Sequence, residues 1–158
     1  MKSIALLAIL AAMSCGAFAQ QHTELPTALR GKVEAAADAC REFNRGEFSL
    51  ESGAITHTDL DGDLKADWVL NELYFSCSSA ASLYANTGGT LSHFMVGGTV
   101  SSLLNRGWEM RTLGKIRVLL AQVHGTLCDG YGYSPCVVSA VWDSETNIWR
   151  TAAARFED

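Results

Sequence analysis

The sequence is short of basic residues, long apolar runs and compact motifs, and each shortage excludes a class of protein. Lys and Arg total 12 against 17 Asp and Glu, giving a net charge of −5, and no segment is densely basic. Nucleic acids and anionic membranes bind to electropositive faces, so we expect neither as a partner. After residue 13, no apolar stretch approaches the roughly 20 residues of a membrane-spanning helix. We therefore expect no membrane span.

The first residues have the form of an export signal. Lys2 precedes an apolar run over residues 4–13, and Ala17-Phe18-Ala19 fits the A-x-A pattern of signal peptidase sites. The run is too short for a membrane anchor, and the residues before Cys15 fit a lipidation signal poorly. We predict cleavage after Ala19, which leaves one domain over residues 20–158 in the periplasm or the medium.

Four cysteines remain after that cleavage: Cys40, Cys77, Cys128 and Cys136. An even number in an exported chain predicts two disulfides, with three possible connectivities. A zinc site is the rival, but no pair has Cys-x-x-Cys spacing. Residues 129–135 are turn-forming and should bring their ends together, so we pair Cys128 with Cys136. By elimination Cys40 pairs with Cys77.

One helix and several strands are predicted after cleavage. From Pro26 the apolar residues recur at steps of three and four, which predicts an amphipathic helix ending near residues 44–46, with Cys40 on its buried face. The predicted strands are 54–58, 67–75, 91–96, 101–105, 109–112, 116–124, 137–142 and 148–152. These elements indicate an α+β domain, with an N-terminal helix packed on a mainly antiparallel sheet and stapled by disulfides.

The most specific chemical pattern lies between the first two predicted strands. Counted from Asp59, aspartates occupy the first, third, fifth and ninth positions, and the carbonyl of Lys65 falls at the seventh. The four aspartates are Asp59, Asp61, Asp63 and Asp67. Calcium binds six to eight oxygen ligands, which a curled loop can supply from alternate residues. The pattern therefore predicts a calcium site.

This D-x-D-G-D-x-x-x-D pattern, followed directly by a strand, resembles the calcium loop of FG-GAP repeats. The resemblance covers about a dozen residues in a single copy, so a propeller is not implied. It implies side-chain ligation by the four aspartates and carbonyl ligation by Lys65. Leu64 departs from the glycine common at the sixth position and would need either an unfavourable backbone angle or a more open loop. Leu70 at the twelfth position excludes an EF-hand, which has a bidentate glutamate there.

The whole chain after the signal resembles, more loosely, small uncharacterised exported proteins of proteobacteria. The resemblance lies in a cysteine-bearing helix, the aspartate loop, the segment Thr87-Gly88-Gly89 and a cysteine-bounded region near the end. Those relatives carry further cysteines around the Thr-Gly-Gly segment, where this chain has Ala85 and Thr90. The resemblance implies no activity.

Several alternatives remain open. Asp61-Gly62 also fits a plain hairpin turn, although four carboxylates in nine residues exceed what a turn needs. His57, His93 and His124 could act in acid–base chemistry, but none lies in a nucleophile motif. Tyr131 and Tyr133 lie in a short, glycine-rich loop where burial is difficult, so that loop is a candidate recognition surface.

Two functional hypotheses follow. The first is a non-catalytic exported binding module, with a structural calcium loop and with Tyr131 and Tyr133 contacting a protein or glycan partner. The second is a small calcium-dependent secreted hydrolase that uses a histidine and a loop aspartate. The first is favoured, because no set of acid, base and nucleophile can be assembled from the sequence.

Overall fold

The computed structural model describes residues 25–151. The predicted signal segment, its cleavage site after Ala19 and the tail up to residue 24 lie outside the described residues. So do residues 152–158, including the last residue of the strand predicted to end at 152.

One helix, α1, spans Thr27–Glu42, and its buried side chains are those of Leu29, Val33, Ala36 and Cys40. Their spacing of three and four residues places them on one face. The helix ends two residues earlier than expected, because Asn44 and Arg45 both have positive φ angles of 53° and 56°. Among the described residues, α1 is the first element.

Within residues 25–151, eleven strands follow α1. In chain order they are β1 Phe48–Leu50, β2 Ile55–Thr58, β3 Asp67–Asn71, β4 Phe75–Cys77, β5 Ala85–Asn86, β6 Gly89–Val96, β7 Thr99–Asn105, β8 Gly107–Leu113, β9 Ile116–Gln122, β10 Val137–Asp143 and β11 Ile148–Thr151. Two 3-10 helices interrupt them, at Glu72–Tyr74 and Gly125–Cys128. All the paired strands are antiparallel.

The strands form three sheets, where the sequence predicted one. β1 pairs with β4; β2, β3, β6 and β5 form a larger sheet to which β7 adds by pairing with β6; and β8 to β11 form a four-stranded sheet. The long strand predicted over 67–75 is also wrong, because the 3-10 helix Glu72–Tyr74 divides it. The short strands β1 and β5 were not predicted, since two or three residues give too little periodicity to detect.

The five-stranded sheet is the middle layer of the molecule. Val69 and Leu70 are neighbours in β3, and both are fully buried. Leu70 packs with Leu29 and Val33 of α1, whereas Val69 packs with Leu119 and other residues of the four-stranded sheet. Successive strand residues point to opposite faces, so the apolar run in β3 reflects burial on both sides.

The two disulfides have the predicted pairing. Cys40 bonds to Cys77 with a Cα–Cα distance of 5.6 Å, and Cys128 bonds to Cys136 at 5.8 Å. The first links α1 to β4, and both of its cysteines are buried. Gly46 lies against it, where a Cβ atom would come within 2.7 Å of both sulfurs.

Candidate functional site

The aspartate loop, residues 59–66, connects β2 to β3. Its ends are held together by strand pairing, in which Thr58 lies opposite Asp67. Leu60 is completely buried in the core between the two larger sheets, while residues 62–66 are exposed. The loop is therefore anchored through Leu60 and presents its remaining residues at the surface.

Three of the four loop aspartates converge. Asp59, Asp61 and Asp67 each offer one carboxylate oxygen within 4.8 Å of the other two. Two oxygens on opposite sides of a calcium ion lie about 4.6 to 5.2 Å apart, twice the usual calcium–oxygen distance. The spacing is therefore suitable for a calcium-sized cation.

The converging carboxylates are oriented by backbone amides of the same loop. The bonds are from Gly62 N to Asp59 Oδ1 at 2.6 Å, from Asp63 N to Asp61 Oδ1 at 3.0 Å, and from Leu60 N to Asp67 Oδ2 at 2.9 Å. Each bond uses one oxygen, so the second oxygen of each carboxylate has no main-chain partner. The three side chains are thus oriented by the main chain of their own loop.

The pKa of the Asp67 carboxyl reflects both its burial and the nearby aspartates. Burial raises the pKa of its carboxyl above the ordinary value, the amide of Leu60 acts in the opposite direction, and the neighbouring aspartates raise it further. Adjacent negative charges therefore repel within the loop. A bound cation would offset that repulsion.

Asp63 does not join the converging group. Its carboxylate accepts hydrogen bonds from the amide and the ammonium group of Lys65, each at 2.8 Å. These bonds hold the pKa of Asp63 below its ordinary value. The predicted role of the Lys65 carbonyl as a ligand stays a prediction.

Leu64 adopts the strained backbone that the sequence led us to expect. Its φ angle is 67°, in the left-handed region, and its side chain is 91% exposed. A leucine gains no packing there and is strained relative to glycine. The loop keeps its curled form despite this residue.

An arginine from the four-stranded sheet contacts the loop. Arg117 of β9 donates to the carbonyl oxygen of Asp59 from Nε at 3.1 Å and from Nη2 at 2.8 Å. Its Nη1 donates to the hydroxyl of Thr112 at 3.0 Å. The guanidinium therefore links the loop to β8 and β9.

The described histidines do not hydrogen-bond to the loop aspartates. His57 is exposed and packs edge-on against Trp68, with ring centroids 4.2 Å apart. His124 Nδ1 lies 2.8 Å from the hydroxyl of Thr126. The acid–base pair predicted from a histidine and a loop aspartate is therefore not assembled in the described part of the chain.

His93 has a different pair of partners, which the sequence did not reveal. It is 2% exposed, with Nδ1 2.6 Å from Ser102 Oγ and Nε2 2.8 Å from Glu72 Oε1. Ser102 lies directly opposite His93 in the β6–β7 register. Only strand pairing brings these residues together, and the spacing of Glu72, His93 and Ser102 along the chain carries no signal for it.

The disulfide-bounded loop presents its tyrosines to solvent. Tyr131 is 72% exposed and Tyr133 is 82% exposed. Their rings stack with centroids 5.8 Å apart and an interplanar angle of 11°. Their exposure agrees with the prediction from the loop's composition, and their role in recognition stays a prediction.

A cavity of about 480 Å³ lies beside the aspartate loop and was not predicted. Its lining includes Thr58 and Arg117, which flank or contact the loop, and a group of buried polar residues from the middle sheet. Those buried polar residues are scattered along the chain between positions 71 and 105. Their common location follows from strand register alone.

No protein-family model, curated protein or solved structure matches the chain. Among residues 25–151, no helix has the length and apolar character needed to cross a membrane.

Proposed function

We propose that this chain is an exported, non-catalytic binding module in which calcium orders the Asp59–Asp67 loop. The observation that carries the proposal is the convergence of three carboxylate oxygens within 4.8 Å. The loop amides that orient these carboxylates and the raised pKa of Asp67 support it, because a preformed anionic pocket favours a cation. The two disulfides support export, since such bonds persist in oxidising compartments.

Thermal unfolding in calcium and in chelator tests the loop. Extracellular calcium modules bind with dissociation constants of about 10⁻⁴ to 10⁻³ M. At about 10 mM calcium and a constant of about 1 mM, binding adds about 1.4 kcal/mol to the free energy of unfolding. That should raise Tm by a few degrees, and magnesium should do less because it demands a tighter octahedral shell.

Asp61→Asn is the sharpest variant for this test, because the amide oxygen can still accept the bond from the Asp63 amide. It should abolish the calcium increment in Tm. Asp38→Ala removes an exposed aspartate on α1 and should keep the increment. If the wild-type melting curves with calcium and with chelator superimpose, the loop is a plain hairpin turn.

Mass spectrometry of the exported protein tests the localisation. We expect Gln20 as the first residue and no free thiol. A retained, acylated Cys15 would instead place the protein on a membrane surface.

In the proposed role, Tyr131 and Tyr133 contact a protein or glycan partner, and a Tyr131→Ala/Tyr133→Ala variant should lose that contact in crosslinking from native extracts.

The second candidate function is a hydrolase, favoured by one observation. Ser102 is exposed and bonded to His93, which is bonded to Glu72, the order of groups found in serine hydrolases. A fluorophosphonate probe should then label wild type but not Ser102→Ala. Ser101→Ala, whose side chain lies on the other face of β7, is the control and should be labelled. If wild type is not labelled, the hydrolase role is excluded and only the binding role remains.

A further inference from the structure

The 480 Å³ cavity opens between the middle sheet and strands β8 and β9. One wall consists of side chains from β2, β3, β6 and β7, and the opposite wall includes Trp108, Met110 and Arg117. On the first wall the lining residues are Thr56, Thr58, Asn71, Thr90, Ser92 and Asn105. The cavity thus lies in the layer between the two larger sheets, which apolar side chains fill elsewhere.

Strand register explains why this wall is polar at the cavity and apolar in the neighbouring core. Val69 lies opposite Phe94, and both are buried in the apolar core between the sheets. Two residues further along the same face, Asn71 lies opposite Ser92. Side chains two positions apart share a face, so the inner face is apolar at one end and polar at the other. The cavity lies at the polar end.

A directional chain of hydrogen bonds links the buried polar residues. Asn105 Nδ2 donates to Ser92 Oγ at 3.0 Å, and Ser92 Oγ lies 2.9 Å from Asn71 Oδ1. Trp108 Nε1 donates to the same Asn71 oxygen at 2.9 Å. An indole N–H can only donate, so the carboxamide of Asn71 must direct its oxygen into this network. Its Nδ2 group, with two N–H donors, points away from the network.

That Nδ2 group is the first unused polar group at the cavity. Asn71 is 7% exposed, and its Nδ2 bonds to no residue of the described chain. It is not among the polar atoms completely shielded from solvent, and Asn71 lines the cavity. A buried side chain therefore offers two free donors to whatever occupies this space.

Two threonine hydroxyls of the same wall also have no partner. Thr56 Oγ1 and Thr90 Oγ1 are shielded from solvent and make no hydrogen bond. Leaving a buried polar group unpaired costs about 1–3 kcal/mol. Valine would fill the same space without that cost. Neither oxygen has exposed surface, so neither can bond to a ligand in the cavity, and the two hydroxyls mark positions where valine should stabilise the fold.

The remaining lining residues define the ligand chemistry. No carboxylate lines the cavity, and the guanidinium of Arg117 is bonded to the loop carbonyl of Asp59. Trp108 and Tyr74 contribute aromatic surface. A ligand that carries both hydroxyl groups and an apolar C–H face would fit uncharged donors and acceptors next to aromatic rings. The cavity volume lies within the range of about 300–1,000 Å³ typical of small-molecule sites.

We propose that this cavity binds a neutral carbohydrate, in the form of one or two sugar rings at the end of a glycan. Asn71 Nδ2 donates to a ring or hydroxyl oxygen, and Trp108 packs against the ring. The inference rests on the proposed role as a binding module and names its ligand class. It does not depend on calcium.

NMR titration of the folded protein with cellobiose, maltose and N,N′-diacetylchitobiose tests the site. We expect at least one of these sugars to produce saturable amide shifts concentrated at Asn71, Thr90 and Trp108. Asn71→Asp should weaken binding about tenfold, because it keeps an oxygen for Ser92 and Trp108 but removes the Nδ2 donors. Thr56→Val and Thr90→Val should leave binding unchanged and be at least as stable as wild type in urea. Thr99→Val, at an exposed turn, should change neither property.

Two results would overturn the proposal. Absence of shifts with all three sugars would show that the cavity is only a solvent-filled gap. Shifts from a neutral tripeptide such as Gly-Asn-Gly, but from none of the sugars, would assign the cavity to peptides. Each titration is repeated in calcium and in chelator. Failure of the calcium loop would appear as unchanged Tm, whatever the sugar result.

Discussion

Arg117 and Asp59, 58 residues apart in the chain, are joined by two hydrogen bonds from one guanidinium to one carbonyl oxygen. The acceptor is main chain, so the contact fixes the path of the aspartate loop without using the Asp59 carboxylate. It also forms part of the cavity wall, since Arg117 lines the cavity. The loop and the cavity therefore share one structural support.

Arg117→Leu should loosen the loop from the four-stranded sheet. Hydrogen bonds to a charged group contribute about 1.5–3 kcal/mol, so we expect a loss near the lower value for this half-buried side chain. Arg117→Lys keeps the charge but not the planar fork, and should recover only part of it. Urea denaturation measures the loss, and hydrogen exchange of the Leu60 amide localises it. Equal stability of Arg117→Leu and wild type would contradict this account.

Leu64→Gly should stabilise the loop. Glycine relieves the left-handed backbone at φ 67°, and the exposed leucine side chain contributes no packing. We expect a gain of about 0.5–1 kcal/mol in the free energy of unfolding. Leu104→Gly, in β7 and half exposed, is the matched control and should be destabilising. A loss of stability in both variants would contradict this account of Leu64.

The two disulfides should differ in their contribution to stability. In the chain-entropy model, the bridge closing 37 residues contributes about 4 kcal/mol and the bridge closing 8 residues about 2.5 kcal/mol. The Cys40→Ala/Cys77→Ala variant should therefore unfold at lower denaturant than Cys128→Ala/Cys136→Ala. Loss of the buried sulfurs should widen the difference, since it leaves a gap under α1. The reverse order in guanidinium denaturation would count against this view.

Gly89→Ala and Gly31→Ala should have opposite effects. Gly89 has a φ angle of 126°, and a Cβ atom there would overlap the Asn105 main chain. Strain and overlap together should cost at least about 3 kcal/mol. Gly31 is exposed on α1 with no atom near a Cβ position, so alanine should gain about 0.5–1 kcal/mol from helix propensity. Thermal unfolding compares the two, and a tolerated Gly89→Ala would refute the β6–β7 register.

The contribution of Asp143 to the stability of the β10–β11 hairpin should be lost at low pH. The guanidinium of Arg150 and the hydroxyl of Thr146 lower the pKa of Asp143 to about 2. An acid with a lowered pKa stabilises the folded state above its unfolded pKa of about 3.9, and this contribution is lost as pH falls through about 2. In Arg150→Gln, carboxyl NMR titration should find the Asp143 pKa higher. Arg106→Gln, on a different strand connection, should leave it unchanged.

The local features of this chain were open to prediction from sequence. A short turn-forming segment separates Cys128 from Cys136, which predicted that they pair with each other. The structure contains that disulfide and the Cys40–Cys77 disulfide. The strained φ of Leu64 followed from its position in the loop pattern. Most of the longer strands were placed to within a few residues. The division of residues 67–75 by a 3-10 helix escaped detection, because Leu73 and Tyr74 have side chains that are also common in strands.

The sequence by itself determined the antiparallel α+β class, the cysteine pairs and the curled aspartate loop, because these depend on interactions between residues near in the chain or few in number. Tertiary structure decided that Asp63 pairs with Lys65 while Asp59, Asp61 and Asp67 converge. It also decided that Asn71 and Ser92 meet at a cavity and that His93 lies between Glu72 and Ser102. The pairing of Asn71 with Ser92 and of His93 with Ser102 is set by strand register. A shift of one residue would place each of those side chains on the opposite face, and no spacing along the chain encodes it.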